Sequence, residues 1–91
     1  MSEIMRQVLI TNRRGLHARA SAKFVTLASA QTCEVAVAKD GAGQVTGTSI
    51  MGLMMLGAAM GDTVTIKAVG DNADAALDAL CGLVEAKFGE E

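Results

Sequence analysis

The chain is expected to fold as an α+β protein, an open-faced two-layer β-sandwich. In it a four-stranded antiparallel sheet is covered on one face by three helices, in the order β-α-β-β-α-β-α. Three observations predict this. Segments with an apolar residue at every second position, Cys33–Lys39 and 62–69, are interleaved with segments whose apolar residues recur at helical spacing, 18–31 and 73–88. Gly, Asn and Asp punctuate the joints between them, with no internal repeat and no linker. The 91 residues are 51% hydrophobic and 20% charged, with no proline, which provides one compact core and predicts a single domain, 1–91.

Taken in order, residues 5–11 contain Val8-Leu9-Ile10, a β-rich run that ends at Asn12, a turn residue. Residues 18–31 then place Ala20, Phe24, Leu27, Ala28 and Gln31 on one helical stripe, whose small early members permit close packing. In Cys33–Lys39, Val35 and Val37 alternate with Glu34, and Asp40-Gly41 forms a tight turn into Gln44-Val45-Thr46, a hairpin. Thr48-Ser49 offers an N-cap ahead of the short apolar helix that ends before Gly57. Residues 62–69 alternate Val64, Ile66 and Ala68 against Thr63, Thr65 and Lys67, as in a sheet with one wet face. Asp71-Asn72 caps a last helix in which Ala73, Ala76, Leu77, Leu80, Leu83, Val84 and Phe88 line one side, ending near Gly89.

Composition narrows the function classes. The longest mostly apolar run, 50–60, is about half of what a spanning helix needs, and residues 1–6 lack the basic cluster and apolar stretch of a secretory signal. No membrane insertion and a cytoplasmic location are expected. Cys33 and Cys81 lack CxxC spacing or a second His, so they are expected to be buried, reduced thiols; no metal, disulfide framework or cofactor is predicted. The net charge of −2 hides an asymmetry: residues 1–45 carry +3 and residues 46–91 carry −5. Such segregation steers a partner onto one face. Nucleic acid is not the expected partner, because a few clustered cations without Trp or Tyr make a poor stacking surface.

The only His lies in the basic half, where Gly15-Leu16-His17-Ala18-Arg19 joins the first strand to the first helix. His17 therefore sits at a helix N-terminus, where backbone N–H groups, those of Ala18 and Arg19 among them, lack intrahelical acceptors and the dipole favours an anion. The same positive end, with Arg19 and Arg13 or Arg14 nearby, disfavours imidazolium and leaves a ring nitrogen free as a nucleophile. A phosphoryl group on that nitrogen would face N–H donors and a guanidinium able to bind two of its oxygens. Acyl transfer lacks a Ser or Cys partner, and metal binding lacks further ligands. By spacing alone, an exposed loop histidine beside an arginine is equally consistent.

A resemblance adds to this. The segment Asn12-Arg13-Arg14-Gly15-Leu16-His17-Ala18-Arg19-Ala20-Ser21-Ala22-Lys23-Phe24-Val25 resembles the active-site segment of the HPr family, the histidine-containing phosphocarriers of the bacterial phosphoenolpyruvate-dependent phosphotransferase system. Thr48-Ser49-Ile50-Met51-Gly52-Leu53 resembles the family's second signature, around its regulatory serine. Two motifs at the right separation, with the right element order, carry the resemblance over roughly residues 5–88. It implies that His17 takes a phosphoryl group through Nδ1 from phospho-Enzyme I and passes it to an Enzyme IIA component, as a carrier without turnover of its own rather than an enzyme. It implies further that Arg19 neutralises the phosphoryl group and that Ser49 is the target of HPr kinase/phosphorylase where that enzyme exists. Ala20 departs from the commonest pattern, which has Pro after the Arg. Ala is a good helix former, so little is lost, but non-Pro versions occur among proteobacterial and nitrogen-related members. Sugar transport and a nitrogen-branch regulatory role therefore both stand as readings, beside a non-transferring interaction module of the same fold.

Ser49 is expected to cap the short helix whether or not it is modified. The apolar residues of 50–60 exceed what one face of a short helix can bury, so some should form a docking patch beside His17, where flexible Met lets one surface fit unlike partners. Met51, Leu53, Met54, Ala20 and Lys23 are the expected docking residues. A monomer is the default for a shuttle that meets two partners through one face.

Overall fold

The computed structural model describes residues 3–90. Strands β1 (Glu3–Leu9), β2 (Cys33–Lys39), β3 (Gly43–Thr46) and β4 (Thr63–Gly70) form one antiparallel sheet in the order β1-β4-β2-β3. Helices α1 (Ala18–Ser29), α2 (Ile50–Met55) and α3 (Ala73–Glu85) cover one face, and a single 3-10 turn, Lys87–Gly89, follows. This is the expected open-faced architecture.

Register explains why the alternation in sequence becomes one buried face. Ile66 of β4 lies opposite Val37 of β2, Ala68 opposite Val35, and Val64 opposite Val8 of β1. With a side-chain period of two, these residues all point toward the helices, while Glu3, Met5, Thr63 and Glu34 point to the open face. Phe24 and Ala20 of α1, Leu53 of α2 and Leu77, Leu80 and Val84 of α3 close the core from above. The two aromatic rings, Phe24 and Phe88, are both fully buried, each worth about 2 kcal/mol of apolar transfer. Among the described residues, no helix is long and apolar enough to cross a membrane.

Several boundaries differ from expectation. β1 begins at Glu3 and ends at Leu9, because its partner strand begins at Thr63; Ile10 continues only through two loop bonds, to Asp62 and Gly61. α1 ends at Ser29, where Ala30 and Gln31 bond back to Leu27 and Ala28 in a tightened last turn. Asn72 stands at the N-cap of α3 but does not cap it with its side chain: its backbone is left-handed, and its amide donates to Thr32 Oγ1 at 3.2 Å. Cys81 is buried as expected. Cys33 is half-exposed, because it opens β2 at the end of the sheet, opposite Gly70, beyond the full cover of the helices.

The last helix does not run on to Phe88. It stops at Glu85, and Lys87, Phe88 and Gly89 all take left-handed backbone, with φ of 59°, 58° and 74°. Each of the two non-glycine residues in that region costs roughly 1 kcal/mol or more. Burial of the Phe88 ring offsets this, and Lys23 Nζ donates to the Phe88 carbonyl at 2.7 Å.

Ahead of β4, Asp62 accepts the Ala59 backbone N–H at 2.9 Å and pairs with Lys39 Nζ at 3.3 Å. The Ala59 N–H first, and Lys39 second, hold its carboxyl below the ordinary value of 3.8. A depressed folded value means stability that is present above the unfolded value and is lost as pH falls through the folded one. Asp62→Asn is therefore expected to lose less urea stability than wild type between neutral pH and about pH 3. Identical acid slopes would show that this contact does not contribute.

Candidate functional site

The site is built on the loop between β1 and α1. Gly15 has φ +61° and lies so close to the 58–59 backbone that a Cβ there would sit 2.3 Å from Ala58 O. Leu16, itself buried, donates its N–H to that same carbonyl at 3.0 Å. These contacts fix the residue before the helix. His17 is the N-cap of α1, in extended backbone, and its side chain makes no cap bond. Ser21 N–H bonds to His17 O at 2.9 Å and Ser21 Oγ donates to Leu16 O at 3.1 Å, so the first turn is held from inside. The N–H groups of Ala18, Arg19 and Ala20 precede the first intrahelical bond, and the first turn carries no acidic side chain to offset the dipole.

Charge gathers at the same place. An open cleft of about 450 Å³ is lined by His17, Arg13, Arg14, Arg19, Lys87 and Glu90 among others, four cations against one carboxylate. A larger concavity, about 670 Å³, opens between the end of α1 and the β2–β3 ribbon, but its charged residues are only Glu34 and Lys67. Chemical content, rather than size, singles out the cleft at His17. Among the described residues no three His, Cys, Asp or Glu side chains converge on a point that would hold a metal ion.

One carboxylate was not foreseen from the sequence. Glu90 Oε2 lies 2.5 Å from His17 Nε2, while Glu90 Oε1 accepts Asn12 Nδ2 at 3.2 Å. Asn12 is only 2% exposed, and its amide also donates to Gly15 O at 2.9 Å. The hydrogen bond to His17 is the largest influence holding the Glu90 carboxyl below its ordinary range, with Asn12 adding to it against partial desolvation. His17 Nδ1 makes no hydrogen bond among the described residues. The arginines expected beside His17 do line the cleft, and Glu90 joins them as a carboxylate. Little in the sequence pointed to it: Asn12 reads as a turn residue, and Glu90 enters only in the −5 charge of residues 46–91.

The expected docking residues divide. Met51 is 70% exposed, and Met54, Met55, Ile50 and Met60 are exposed as well. Leu53 and Ala20 are corrections, since both are 0% exposed: Leu53 is on the side of α2 that faces the core, and Ala20 shares the buried stripe of α1 with Phe24. Lys23 is exposed, with its ammonium on the Phe88 carbonyl. Ser49 caps α2 as expected, its Oγ accepting the Gly52 N–H at 2.9 Å. α2, which carries Met51, Met54 and Met55, packs on α1, and the Ala58–Ala59 backbone just beyond it touches Gly15 of the His17 loop.

Comparison with known proteins bears on the fold and the family. The family described as "PTS HPr component phosphorylation site" matches residues 4–86. A phosphocarrier protein NPr from Shewanella violacea is 47% identical over 90 residues, spanning 99% of this chain and 98% of that protein. A phosphocarrier protein HPr from Cupriavidus necator is 45% identical over 87 residues, spanning 96% and 97% respectively. Among solved structures, HPr-C-His from Thermoanaerobacter tengcongensis superposes with a TM-score of 0.88 at 44% identity, over 100% of this chain and 99% of that one.

Proposed function

The chain belongs to the HPr family of phosphocarrier proteins of the phosphotransferase system, and from that premise we propose that it relays a phosphoryl group on His17 Nδ1, from phospho-Enzyme I to an Enzyme IIA component. One observation supports this reading above the others: the ring nitrogen without a hydrogen bond stands at the N-terminus of α1, in a cleft with Arg13, Arg14, Arg19 and Lys87. A dianionic group there faces the Ala18 and Arg19 N–H donors and the Arg19 guanidinium, whose fork suits two phosphoryl oxygens. The protein is itself the phosphorylated intermediate and has no turnover, so it is a carrier and not an enzyme. It works in the cytoplasm as a monomer, presenting Met51 and Met54 to each partner in turn, with Lys23 at the edge of that face.

A second reading concerns the branch. The relative named NPr and the relative named HPr are about equally similar, at 47% and 45% identity, and Ala20 occupies the position where Pro is commonest. A nitrogen-branch carrier with regulatory output, rather than sugar transport, fits the same site.

Incubation with phosphoenolpyruvate and Enzyme I tests the carrier reading. Intact mass should rise by one phosphoryl group that is lost in acid; no adduct, under conditions that label a known HPr, overturns it. Ser49 is the regulatory position, open to HPr kinase/phosphorylase where present. Phosphorylation there suits the dipole of α2 but repels an acidic partner approaching the basic face. Ser49→Asp is accordingly expected to slow phosphoryl acceptance from phospho-Enzyme I about tenfold. An unchanged rate removes Ser49 from the docking account.

A further inference from the structure

We infer that Glu90 is a positioning residue of the phosphoryl-transfer site, holding the proton of His17 on Nε2 so that Nδ1 presents its lone pair to the incoming phosphorus. The inference rests on the carrier reading and deepens it.

Three observations carry it. The first is the contact itself, Glu90 Oε2 to His17 Nε2 at 2.5 Å, with both side chains only 20% exposed. A carboxylate accepts and does not donate, so the nitrogen facing it is the one that carries hydrogen. The second is that the carboxylate is itself held. Its other oxygen takes a hydrogen bond from Asn12, which is buried and anchored to Gly15 O, so the loop that carries His17 also grips the group that orients it. The third is the path of the chain. Lys87, Phe88 and Gly89 are left-handed in succession, and the bonds from Gly89 N–H to Ala86 O and from Glu90 N–H to Lys87 O close the turn. Phe88 in the core and Lys23 on the Phe88 carbonyl fix that turn, which carries Glu90 to a histidine 73 positions away in sequence. Backbone held this far from its preferred region marks a place that the surrounding structure over-determines.

The chemistry balances without a further reactant. The bond between phosphorus and the donor's nitrogen breaks, its electron pair staying with that nitrogen, and the Nδ1 lone pair forms the new N–P bond. No proton leaves His17. The Nε2 proton remains, the phosphorylated ring becomes a cation, and the Glu90 carboxylate lies against it. When the group passes on, the N–P electrons return to Nδ1 and the ring leaves as neutral imidazole, a better leaving group than an imidazole anion. Arg13, Arg14, Arg19 and Lys87 also face this cleft, and Glu90 is the carboxylate among them. The arrangement parallels that of a histidine whose ring is set by a carboxylate on the nitrogen away from the reacting one.

The test combines two readouts on wild type, Glu90→Ala and Glu90→Gln. In nitrogen-15 spectra of the ring, wild type should show a hydrogen-bonded proton on His17 Nε2 that Glu90→Ala loses to solvent exchange, whereas the Gln carbonyl still accepts and keeps it. In single turnovers with phospho-Enzyme I, Glu90→Ala should accept the phosphoryl group about tenfold more slowly, with Glu90→Gln rescuing most of the rate. A backbone amide spectrum unchanged away from the site confirms that the fold is intact. A ring signal indifferent to Glu90→Ala overturns the inference, and so does a lost signal with a wild-type rate. If wild type takes no phosphoryl group at all, the carrier reading fails and this role fails with it. An adduct on wild type with full-rate transfer in Glu90→Ala overturns this role alone.

Discussion

Replacing His17 by alanine is expected to abolish phosphoryl acceptance while leaving stability within about 1 kcal/mol of wild type. The two halves of that result have separate causes. Stability is largely spared because the His17 side chain makes no cap bond to α1, and the one hydrogen bond that is lost, to Glu90, leaves a carboxylate that Asn12 still holds and that water can reach. Its backbone, at φ −75° and ψ −178°, is ordinary for alanine. The Ser21 N–H bond to the residue-17 carbonyl and the Ser21 Oγ bond to Leu16 O do not involve the imidazole. Acceptance is lost because this is the only histidine in the chain, and no other side chain in the cleft is a nitrogen nucleophile of comparable character. The adduct should therefore vanish from the intact mass, while Enzyme I still binds through the exposed methionines of α2. That combination separates a carrier from an interaction module, for which His17→Ala would change nothing that matters. An adduct that persists in His17→Ala and survives acid would move the phosphoryl group to a hydroxyl, with Ser49 the first candidate, and would sink the assignment.

Much of this site was legible in the sequence because its determinants are local. The N-terminus of α1 follows from where the β-rich run Val8-Leu9-Ile10 stops at Asn12 and the helical stripe of Ala20, Phe24 and Ala28 begins, and that boundary puts His17 and Arg19 at the start of the helix. The Ser49 cap follows from a hydroxyl ahead of an apolar run. The surplus of methionine in α2 predicted exposure correctly for Met51 and Met54, yet failed for Leu53, since a six-residue helix leaves the buried side undecided until its partners are known. Ala20 failed for a related reason: the stripe that announced the helix also placed that residue inward, so it could not serve a docking surface as well.

What the sequence did not disclose depends on tertiary closure. Val84 and Phe88 are four residues apart, so the apolar period runs unbroken through the point where the backbone turns left-handed. The spacing alone points Phe88 to the same side as Val84; the difference lies in where the next two residues go. Continued as a helix, the chain would carry Glu90 onward with the α3 axis. Turned at Lys87, it reaches His17 and Asn12. Asn12 shows the same blindness from the other side, because a turn-forming Asn and a buried Asn that clamps a carboxylate look alike in sequence.

Gly15→Ala is expected to be the most destabilising single-atom addition in the His17 loop, costing roughly 2 to 5 kcal/mol. Part of the cost is the left-handed backbone at φ +61°, and the larger part is contact, for the new Cβ would lie 2.3 Å from Ala58 O and 2.8 Å from Ala59 Cα. Both are backbone atoms, and neither is free to retreat. Ala59 N–H is held by Asp62, Gly61 N–H by Ile10 O, and Asp62 O by Ile10 N–H, so segment 58–62 is fastened to the end of the β1 strand. The loop carrying Gly15 must lift instead, giving up the Leu16 N–H bond to Ala58 O and disturbing the Asn12 bond to Gly15 O. Since His17 follows two residues later, a displacement of about 1 Å there should slow phosphoryl acceptance about a hundredfold, even in dilute denaturant-free buffer where the protein is still folded. Gly57→Ala is the matched comparison. Its φ is +67°, but nothing lies within 4 Å of the added atom, so it should cost only the backbone share, about 1 kcal/mol. Urea midpoints for the two variants therefore separate conformational cost from close approach, and equal midpoints would mean that the Ala58 contact does not set the position of His17.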